Sequence, residues 1–497
     1  MSLNRLAQSP SLYLQKHATN PIQWWPWCEE ALTLARARDR PIFLSVGYSS
    51  CHWCTVMEGE AFSDQAIADY LNQHFVPIKV DREERPDIDS LYMQSLQAMT
   101  GQGGWPMNMF IAPDDGIPFY GGTYFPIDAR YGRPGFLQVL AAVLNFYQVE
   151  KTQLATQKQQ MFEHLEANAT ASSRGDLTKE LLSQGMENAT TIIHNQTPGP
   201  NFPMMPYGFA SLQSIYLPSQ QEFEPLGVAE KRGLDLALGG IYDHVGGGFH
   251  RYTVDPTWTV PHFEKMLYDN GQVLEYLANL WSAGVRDMAV KRAIEGTVSW
   301  LGREMTDSSG FFYAAQDADN FTTADASEPE EGDFYVWRYE ELQSLLEQEE
   351  LQALAQDFHI SEAGNFEGAT VLQRQQGGAL QKASYAALEK LFVARYGQGS
   401  ATMTQFPPAR GNKDAKENQW PGRIPPVTDT KMIVAWNSLV ISGLARTAAV
   451  LNSRRAYDVA IAAAQFIDTH QWRDDQLLRV NYGADAAVAG QSEDYAC

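Results

Sequence analysis

The sequence contains the stretch Phe43-Leu44-Ser45-Val46-Gly47-Tyr48-Ser49-Ser50-Cys51-His52-Trp53-Cys54, and this stretch decides the fold. Its first half is an apolar run typical of a buried strand, and small turn-forming residues follow. Two cysteines with C-x-x-C spacing come next, just before a predicted helix at Thr55 to Glu60. A cysteine at a helix N-terminus faces unpaired N–H groups and the positive end of the helix dipole, which stabilise its thiolate. We therefore predict that Cys51 is a nucleophile and that Cys54 resolves the mixed disulfide.

A strand followed by such a cysteine pair is the arrangement of a thioredoxin-type redox centre. The alternative, half of a zinc site, would need a second pair of ligands, which neither Cys28 nor Cys497 supplies. We therefore predict a redox pair without a metal or another cofactor. His52 lies between the cysteines, beside Trp53, and would stabilise the Cys51 thiolate if protonated. The alternative is a solvent-exposed histidine of little influence.

The segments after the cysteines continue this pattern. We predict a strand at residues 75–81, a helix at about 91–99, a strand at 107–111 and a hairpin partner at 118–125. Strand, helix and strand in this order favour a crossover with parallel pairing. A helix from residue 135 to about 171 then leads into a polar connector.

Three further residues are candidates at the redox site. Pro106 follows a glycine-rich approach and is the natural cis-proline beside the disulfide, the alternative being a trans-proline that starts a strand. Asp81 and Glu58 are weaker candidates for assisting proton transfer.

Composition limits the class of protein and its partners. A chain of 497 residues is too long for one ordinary core, so we expect two or three domains, or one small and one large. A net charge of −23 without clustered Lys and Arg argues against nucleic acid and anionic membrane surfaces as partners. No apolar window of signal-peptide or membrane-spanning length is expected. Four cysteines are too few for a disulfide scaffold, so we predict a cytoplasmic protein.

Most of the chain beyond Asp176 alternates helical stretches with loops rich in Gly and Pro, which predicts an all-α second domain. The loops 198–206 and 246–261 are long and aromatic, as is typical of binding loops. The predicted helices, roughly eight, cover about 177–194, 224–239, 263–283, 286–306, 338–357, 379–396, 430–451 and 454–470.

The densest polar and aromatic stretch covers residues 239–269. His and Glu are good metal ligands, but His262 and Glu264 are two residues apart and would point to different sides of a helix. A pocket that stacks sugar rings on aromatics fits better, and the open alternative is polar bracing of loops between helices. The candidates are Tyr242, Asp243, His244, His250, Arg251, His262, Glu264 and Asp269.

A second cluster lies at residues 311–337, where the ends alternate like a short hairpin. Asp317 and Asp319 lie near its middle, and paired carboxylates are what glycoside chemistry requires. The alternative is an ordinary acidic surface loop. We predict that the acidic residues 325–331 form a solvated loop.

Several of these motifs resemble the YyaL-like family, which includes the spermatogenesis-associated thioredoxin-domain proteins. They are residues 51–58, 80–87, 101–106, 122–126 and 246–269. The resemblance implies a thioredoxin-like domain with an N-terminal extension at residues 1–170 and a six-hairpin, glycosidase-like (α/α)-toroid domain at 171–497. Such toroids are similar to those of N-acylglucosamine 2-epimerases and some glycosidases, and Trp436 and Asn437 join the pocket candidates.

The sequence departs from the family pattern at several positions. Thr55 stands where a His commonly follows the second cysteine, Asn201 replaces a Lys, and Thr430 replaces the second Asp of an Asp-Asp-Lys element. Residues 493–497 resemble an interior element of the family, after which further hairpins are expected. We therefore expect a C-terminally shortened chain and an unclosed toroid.

Three functions are compatible with the sequence. The first is a thiol–disulfide oxidoreductase with a protein disulfide or thiol as substrate, fused to a carbohydrate-binding type of helical domain. The second is a sugar epimerase or glycoside-processing enzyme acting through the toroid. The third is a non-catalytic binding module with the thioredoxin fold, which buried and unreactive Cys51 would favour.

Overall fold

The computed structural model describes residues 3–130, 132–169, 176–195, 198–216, 224–483 and 486–497. The chain divides into two compact units, residues 1–175 and 176–497. The predicted domain boundary between residues 170 and 171 lies outside the described residues.

The first unit is built on a five-stranded sheet with the strand order β1-β3-β2-β4-β5. β2 pairs with β3 in parallel, whereas β4 and β5 add antiparallel pairs on the other side. Every residue of β2, β3 and β4 is buried, as expected for central strands covered on both faces. This topology confirms the predicted thioredoxin-like fold. The strands are β1 Trp25–Pro26, β2 Ile42–Gly47, β3 Val76–Asp81, β4 Met107–Ile111 and β5 Pro118–Gly122.

Helices cover this sheet. The helix predicted at residues 55–60 begins three residues earlier, because Cys51 is already its N-cap. The helix predicted from residue 135 onward is interrupted at Glu150, whose backbone leaves the helical region, and it forms two helices instead of one. The helices are α1 Leu12–Lys16, α2 Glu29–Arg38, α3 His52–Gly59, α4 Gln65–His74, α5 Pro86–Thr100, α6 Phe136–Val149 and α7 Lys151–Ala169, with a 3-10 turn at Arg5–Gln8.

The N-terminal extension is anchored to the sheet. The Ser11 hydroxyl caps α1 by accepting the Leu14 N–H at 3.2 Å. The Asn4 amide donates to the carbonyls of His17 and Ile22, which closes the segment onto itself. Since Leu6, Tyr13 and Leu14 are buried, α1 is fixed against β3 and its side chains reach the interior.

The second unit is a two-row array of helices, the architecture of an (α/α)-toroid. α9, α11 and α17 pack one on the next to form one row, and α8, α10, α12 and α18 form the other. The pairs α8/α9, α11/α12 and α17/α18 connect the rows. The helices are α8 Lys179–His194, α9 Met205–Ser214, α10 Pro225–Leu238, α11 Leu267–Ser282, α12 Met288–Glu304, α13 Tyr339–Leu345, α14 Gln348–Asp357, α15 Lys382–Tyr396, α16 Asn412–Glu417, α17 Val434–Leu451, α18 Arg454–His470 and α19 Ser492–Ala496.

The described part of this unit therefore contains twelve helices where the sequence predicted about eight. The predicted helix at 338–357 is divided at Leu346 and Glu347, which both have extended backbones. α9, α16 and α19 were missed because they are short and begin beside residues that signal turns, such as Pro206 and Gly411.

Short strands connect the helices. The stretch 311–337 is not one hairpin as predicted: β9 pairs with β8 and β12, while β10 pairs with β11. The strands are β6 Tyr252–Thr253, β7 Pro261–His262, β8 Lys265–Met266, β9 Ala315–Gln316, β10 Asp319–Asn320, β11 Glu330–Glu331, β12 Thr428–Asp429, β13 Met432–Ile433, β14 Trp472–Arg473, β15 Gln476–Asn481 and β16 Ala486–Ala489.

α17 is apolar enough for a membrane span by length and composition, which differs from the sequence expectation. Its 18 residues have a mean hydropathy of 1.3, and 44% of them are buried in the unit. It packs against α11 and α18 and carries Asn437, whose side chain is fully buried. A core helix of a helical domain meets the same criteria.

Candidate functional site

The two cysteines lie at the start of α3 and form a disulfide. β2 ends at Gly47, a short turn follows, and Cys51 becomes the N-cap residue. The backbone N–H of Cys54 donates to the Cys51 sulfur at 3.2 Å. Each cysteine is 3% exposed. The predicted pairing is confirmed, and the sulfur of Cys51 occupies the position where a helix N-terminus stabilises negative charge.

The predicted cis-proline is also present. The Trp105–Pro106 peptide bond is cis. The next residue, Met107, pairs with Val46 near the end of β2, so Pro106 lies beside the strand that leads to the cysteines. The Trp105 indole donates to Asp89 at 2.7 Å and is thereby held in place.

The residues between the cysteines form the surface of the site. Trp53 is 48% exposed, and its ring lies 5.2 Å from the Tyr124 ring and 5.5 Å from the His52 ring, centroid to centroid. His52 is half-buried. Trp53 thus presents an exposed aromatic face next to a buried disulfide.

The candidates for proton transfer lie on β3 and α3. Asp81 is 1% exposed, accepts from the Ser11 hydroxyl at 2.7 Å and stands opposite Gly47 in the parallel pair of β2 and β3. Glu58 is half-buried and accepts from the Asn20 amide at 2.9 Å. The extension therefore supplies a partner to each carboxylate.

A buried lysine that the sequence analysis missed lies in the same region. Lys79 is 1% exposed, donates to the Ser45 hydroxyl at 3.0 Å and lies 4.3 Å from the centroid of the Phe62 ring. Burial lowers the pKa of Lys79 well below its ordinary value, against the opposing effect of the Glu58 carboxylate. Both faces of β3 are covered, so polar and apolar positions do not mark an exposed and a buried face. The burial of Lys79 therefore could not be predicted from alternation along the strand.

Tyr13, a second residue that was not predicted from the sequence, lies near the cysteines beside Gly47. A β-carbon at Gly47 would lie 2.4 Å from the Tyr13 hydroxyl and 2.7 Å from the Cys54 sulfur. The hydroxyl and the sulfur therefore border the same small space, which only glycine leaves open. Tyr13 is too far from Cys54 in sequence for any motif to connect them.

In the second unit, Asp243 is the centre of a buried ion cluster. Its carboxylate accepts from Arg395 at 2.7 Å and from Lys265 at 2.9 Å, and all three side chains are almost fully buried. Burial alone would raise the pKa of the Asp243 carboxyl, but Arg395 and Lys265 together hold it well below its ordinary value. The backbone N–H groups of residues 245 and 246 also donate hydrogen bonds to the Asp243 carboxylate. Neither Lys265 nor Arg395 was among the site residues predicted from the sequence.

His244 and His250 are bound to the backbone. His244 Nε2 lies 3.0 Å from the Gly239 carbonyl, and His250 Nδ1 lies 2.8 Å from the Phe263 carbonyl. The Tyr242 hydroxyl donates to the Arg292 carbonyl at 3.3 Å. These contacts brace loops between helices.

Acidification is expected to destabilise the second unit through two buried histidines, His244 and His250. Burial lowers the pKa of both His244 and His250 to about 3, whereas an unfolded histidine titrates near about 6.5. Protons therefore bind preferentially to the unfolded chain as pH falls from about 6.5 towards 3, and stability is lost in that window. By pH 5.5 each histidine costs about 1.4 kcal/mol. Urea unfolding at several pH values measures how steeply the free energy of unfolding falls with pH. His244→Gln is expected to reduce this slope. An unchanged slope in this variant would contradict the assignment.

His262 lies between two carboxylates. Its Nδ1 is 2.6 Å from Glu331, and its Nε2 is 3.4 Å from Glu264, which also pairs with Arg251 at 2.8 Å. Glu331 was predicted to belong to a solvated loop, and this is wrong: it is half-buried at β11 and holds the imidazole. Tyr252 pairs with His262 across β6 and β7 and stacks on Phe202, with ring centroids 4.6 Å apart.

The remaining pocket candidates are distributed over several elements. Asp317 is buried directly after β9, Asp319 is buried in β10, and Asp269 lies in the first turn of α11. Trp436 packs its ring against Tyr268. The Asn437 amide donates to the Phe312 carbonyl and accepts the N–H of the same residue, so it ties α17 to the strand region.

No group of three or more His, Cys, Asp and Glu side chains is arranged to hold a metal ion in the part of the chain that the structure describes.

Comparison with known proteins finds a family model, solved structures and curated relatives that are similar to this chain. A family model described as "Protein of unknown function, DUF255", with the label Thioredox_DsbH, matches residues 3–166. The solved structure of cellobiose 2-epimerase from Spirochaeta thermophila aligns with 63% of this chain and 92% of its own, at 14% identity and a TM-score of 0.22.

Two curated relatives match almost the whole chain. An uncharacterized protein of Caenorhabditis elegans is 34% identical over 504 residues, which cover 98% of this chain and 68% of the relative. Spermatogenesis-associated protein 20 of Homo sapiens is 36% identical over 504 residues, which cover 96% of this chain and 63% of the relative. The chain thus spans roughly two thirds of the length of these relatives. By this similarity the chain belongs to the family of spermatogenesis-associated protein 20.

Proposed function

We propose that the chain is a thiol–disulfide oxidoreductase in which Cys51 is the nucleophile and Cys54 the resolving thiol. One observation carries the proposal: the N–H of Cys54 at the first turn of α3 donates to the Cys51 sulfur at 3.2 Å. The same N–H would stabilise a Cys51 thiolate, which is the reactive form of a thiol. In this proposal the protein acts in the cytosol on a protein disulfide or thiol, without nucleic acid, membrane or cofactor.

The reaction follows from the order of the two sulfurs. The Cys51 thiolate attacks a substrate disulfide, one substrate sulfur leaves as a thiolate, and a mixed disulfide forms. Cys54 then attacks the Cys51 sulfur and releases the second substrate thiolate. Asp81, opposite Gly47, and Glu58 are the proposed groups that assist proton transfer at Cys54.

The test is catalysis of the reduction of a model disulfide, such as insulin, by dithiothreitol in the presence of the purified chain. We expect acceleration over dithiothreitol alone. Cys51 is 3% exposed in the disulfide form. Alkylation of the reduced protein therefore measures whether a reagent can reach the Cys51 thiol. A reduced Cys51 that neither reacts with iodoacetamide nor accelerates the reduction would favour a non-catalytic binding module instead.

One observation favours a second candidate, a sugar epimerase or glycoside-processing activity of the helical unit. Phe202 is 45% exposed and stacks on Tyr252, directly beside the imidazole that Glu331 and Glu264 hold. An aromatic face supplies stacking for a sugar ring, and a histidine between carboxylates can exchange a proton with it.

A sugar ligand is expected to raise the melting temperature of the protein, since binding to the folded state alone stabilises it. A panel of monosaccharides and disaccharides tested by thermal shift measures this, with a rise of a few degrees expected for at least one sugar. Phe202→Ala should remove the rise, whereas Tyr457→Ala, at an equally exposed aromatic of α18, should keep it. A panel without any stabilising sugar would contradict this candidate.

A further inference from the structure

Tyr13 belongs to the N-terminal extension, outside the sheet and helices that carry the cysteine pair. It is 1% exposed, and its ring is packed against His17 and lies 5.2 Å from the Lys79 ammonium. Its hydroxyl and the Cys54 sulfur border the same small space, because a β-carbon at Gly47 would collide with both atoms. The extension therefore reaches the sulfur that Cys51 releases when the disulfide opens.

The Tyr13 hydroxyl is buried and makes no hydrogen bond within the described residues. Burial, reinforced by the Asp81 carboxylate, raises the pKa of the phenol well above its ordinary value, so the hydroxyl keeps its proton. A disulfide sulfur is a weak acceptor, whereas a thiolate is a strong one. A buried donor beside a sulfur is thus without a good partner in the oxidised protein and gains one on reduction.

We propose that the Tyr13 hydroxyl donates a hydrogen bond to the Cys54 thiolate when the Cys51–Cys54 disulfide opens. This inference rests on the proposed function and deepens it, since it identifies the group that receives the leaving thiolate. A substrate thiolate attacks the Cys51 sulfur, the bond to Cys54 breaks, and its electron pair stays on Cys54 as a thiolate. The second substrate thiolate then attacks the substrate sulfur of the mixed disulfide. A substrate disulfide forms, the Cys51 thiolate leaves, and two electrons have passed to the pair.

The test compares Tyr13→Phe with the parent in a chain that carries Cys28→Ser, Cys51→Ser and Cys497→Ser, so that Cys54 is the single thiol. Titration of the ultraviolet absorbance of the thiolate gives the pKa of Cys54. Loss of a hydrogen bond to a charged acceptor is expected to shift the equilibrium between thiolate and thiol about tenfold towards the thiol. This raises the pKa of Cys54 by about one unit. In the chain with its native cysteines, Tyr13→Phe should slow opening of the disulfide by dithiothreitol severalfold, because a leaving thiol of higher pKa leaves more slowly.

Tyr147→Phe is the matched control, because Tyr147 is also buried but donates its hydroxyl to Asp39. It should leave the pKa of Cys54 unchanged. Tyr13→Phe should fold, since it removes a buried hydroxyl without a partner, and the oxidised variant should melt at or above the temperature of the parent. An unshifted pKa of Cys54 in Tyr13→Phe would overturn the inference even if the protein catalyses disulfide exchange. A shifted pKa without any catalysis would support the hydrogen bond and contradict the proposed function instead.

Discussion

Replacing Cys51 with serine is expected to abolish disulfide reduction, down to the rate of dithiothreitol alone. A serine hydroxyl remains protonated at neutral pH, so the N–H of Cys54 has no anion to stabilise and no nucleophile is available. Insulin reduction by the purified variant measures this. Cys54→Ser should also lose turnover but keep the first attack, and mass spectrometry should then detect a mixed disulfide on Cys51.

Cys28→Ser is the control for this substitution. Cys28 is the N-cap residue of α2, a position outside the disulfide, and burial raises the pKa of its thiol, which reduces its reactivity. We expect Cys28→Ser to retain activity within about twofold, as is usual for a substitution remote from the reacting atoms. Equal activity of Cys51→Ser and the parent would end the proposal of a redox function at this pair.

Asp243→Asn is expected to have the largest effect on stability. The carboxylate of Asp243 is the shared counter-ion of Lys265 and Arg395, and these side chains are 0% and 1% exposed. The amide keeps the shape of the side chain but leaves two buried cations facing each other. Removing one partner from a buried ion cluster costs about 3–5 kcal/mol, so the unfolding transition of the helical unit should shift to lower urea concentration.

Asp458→Asn provides the matched control in the same unit. Asp458 pairs with Arg454 at 2.8 Å on α18, but the two side chains are 51% and 82% exposed. Such an exposed pair contributes about 0.3–0.5 kcal/mol, because water screens both charges. Equal urea midpoints for Asp243→Asn and Asp458→Asn would show that the buried cluster does not hold the unit together.

Much of the site around the two cysteines was predictable from its immediate sequence. The apolar run at residues 43–46 predicted β2, and the C-x-x-C spacing predicted the disulfide. The place of Pro106 at the start of the next strand of a thioredoxin-type fold predicted its cis bond. These features act over a few residues, since strand propensity, capping and turn geometry are local. The helix of the cysteines nevertheless began earlier than predicted, because the Cys51 side chain itself serves as the cap.

The surroundings of the candidate site residues were not predictable in this way. Glu331 was assigned to a solvated loop because acidic residues are the common filling of such loops, but the pairing of β10 with β11 places it against His262. Lys79 was hidden in a strand that is covered on both faces. In each case the environment of the side chain, and not its own type, determines what it does.

The sequence by itself determined the central strands of the sheet, most of the longer helices, the cysteine pair and the two-part organisation, because hydrophobic periodicity and turn residues are written along the chain. Only the tertiary structure decided which distant side chains meet. Tyr13 reaches Cys54 from the extension, and Arg395 reaches Asp243 across 152 residues of sequence. A buried charge or hydroxyl needs a partner, and the packing of helices and strands selects that partner from the whole chain.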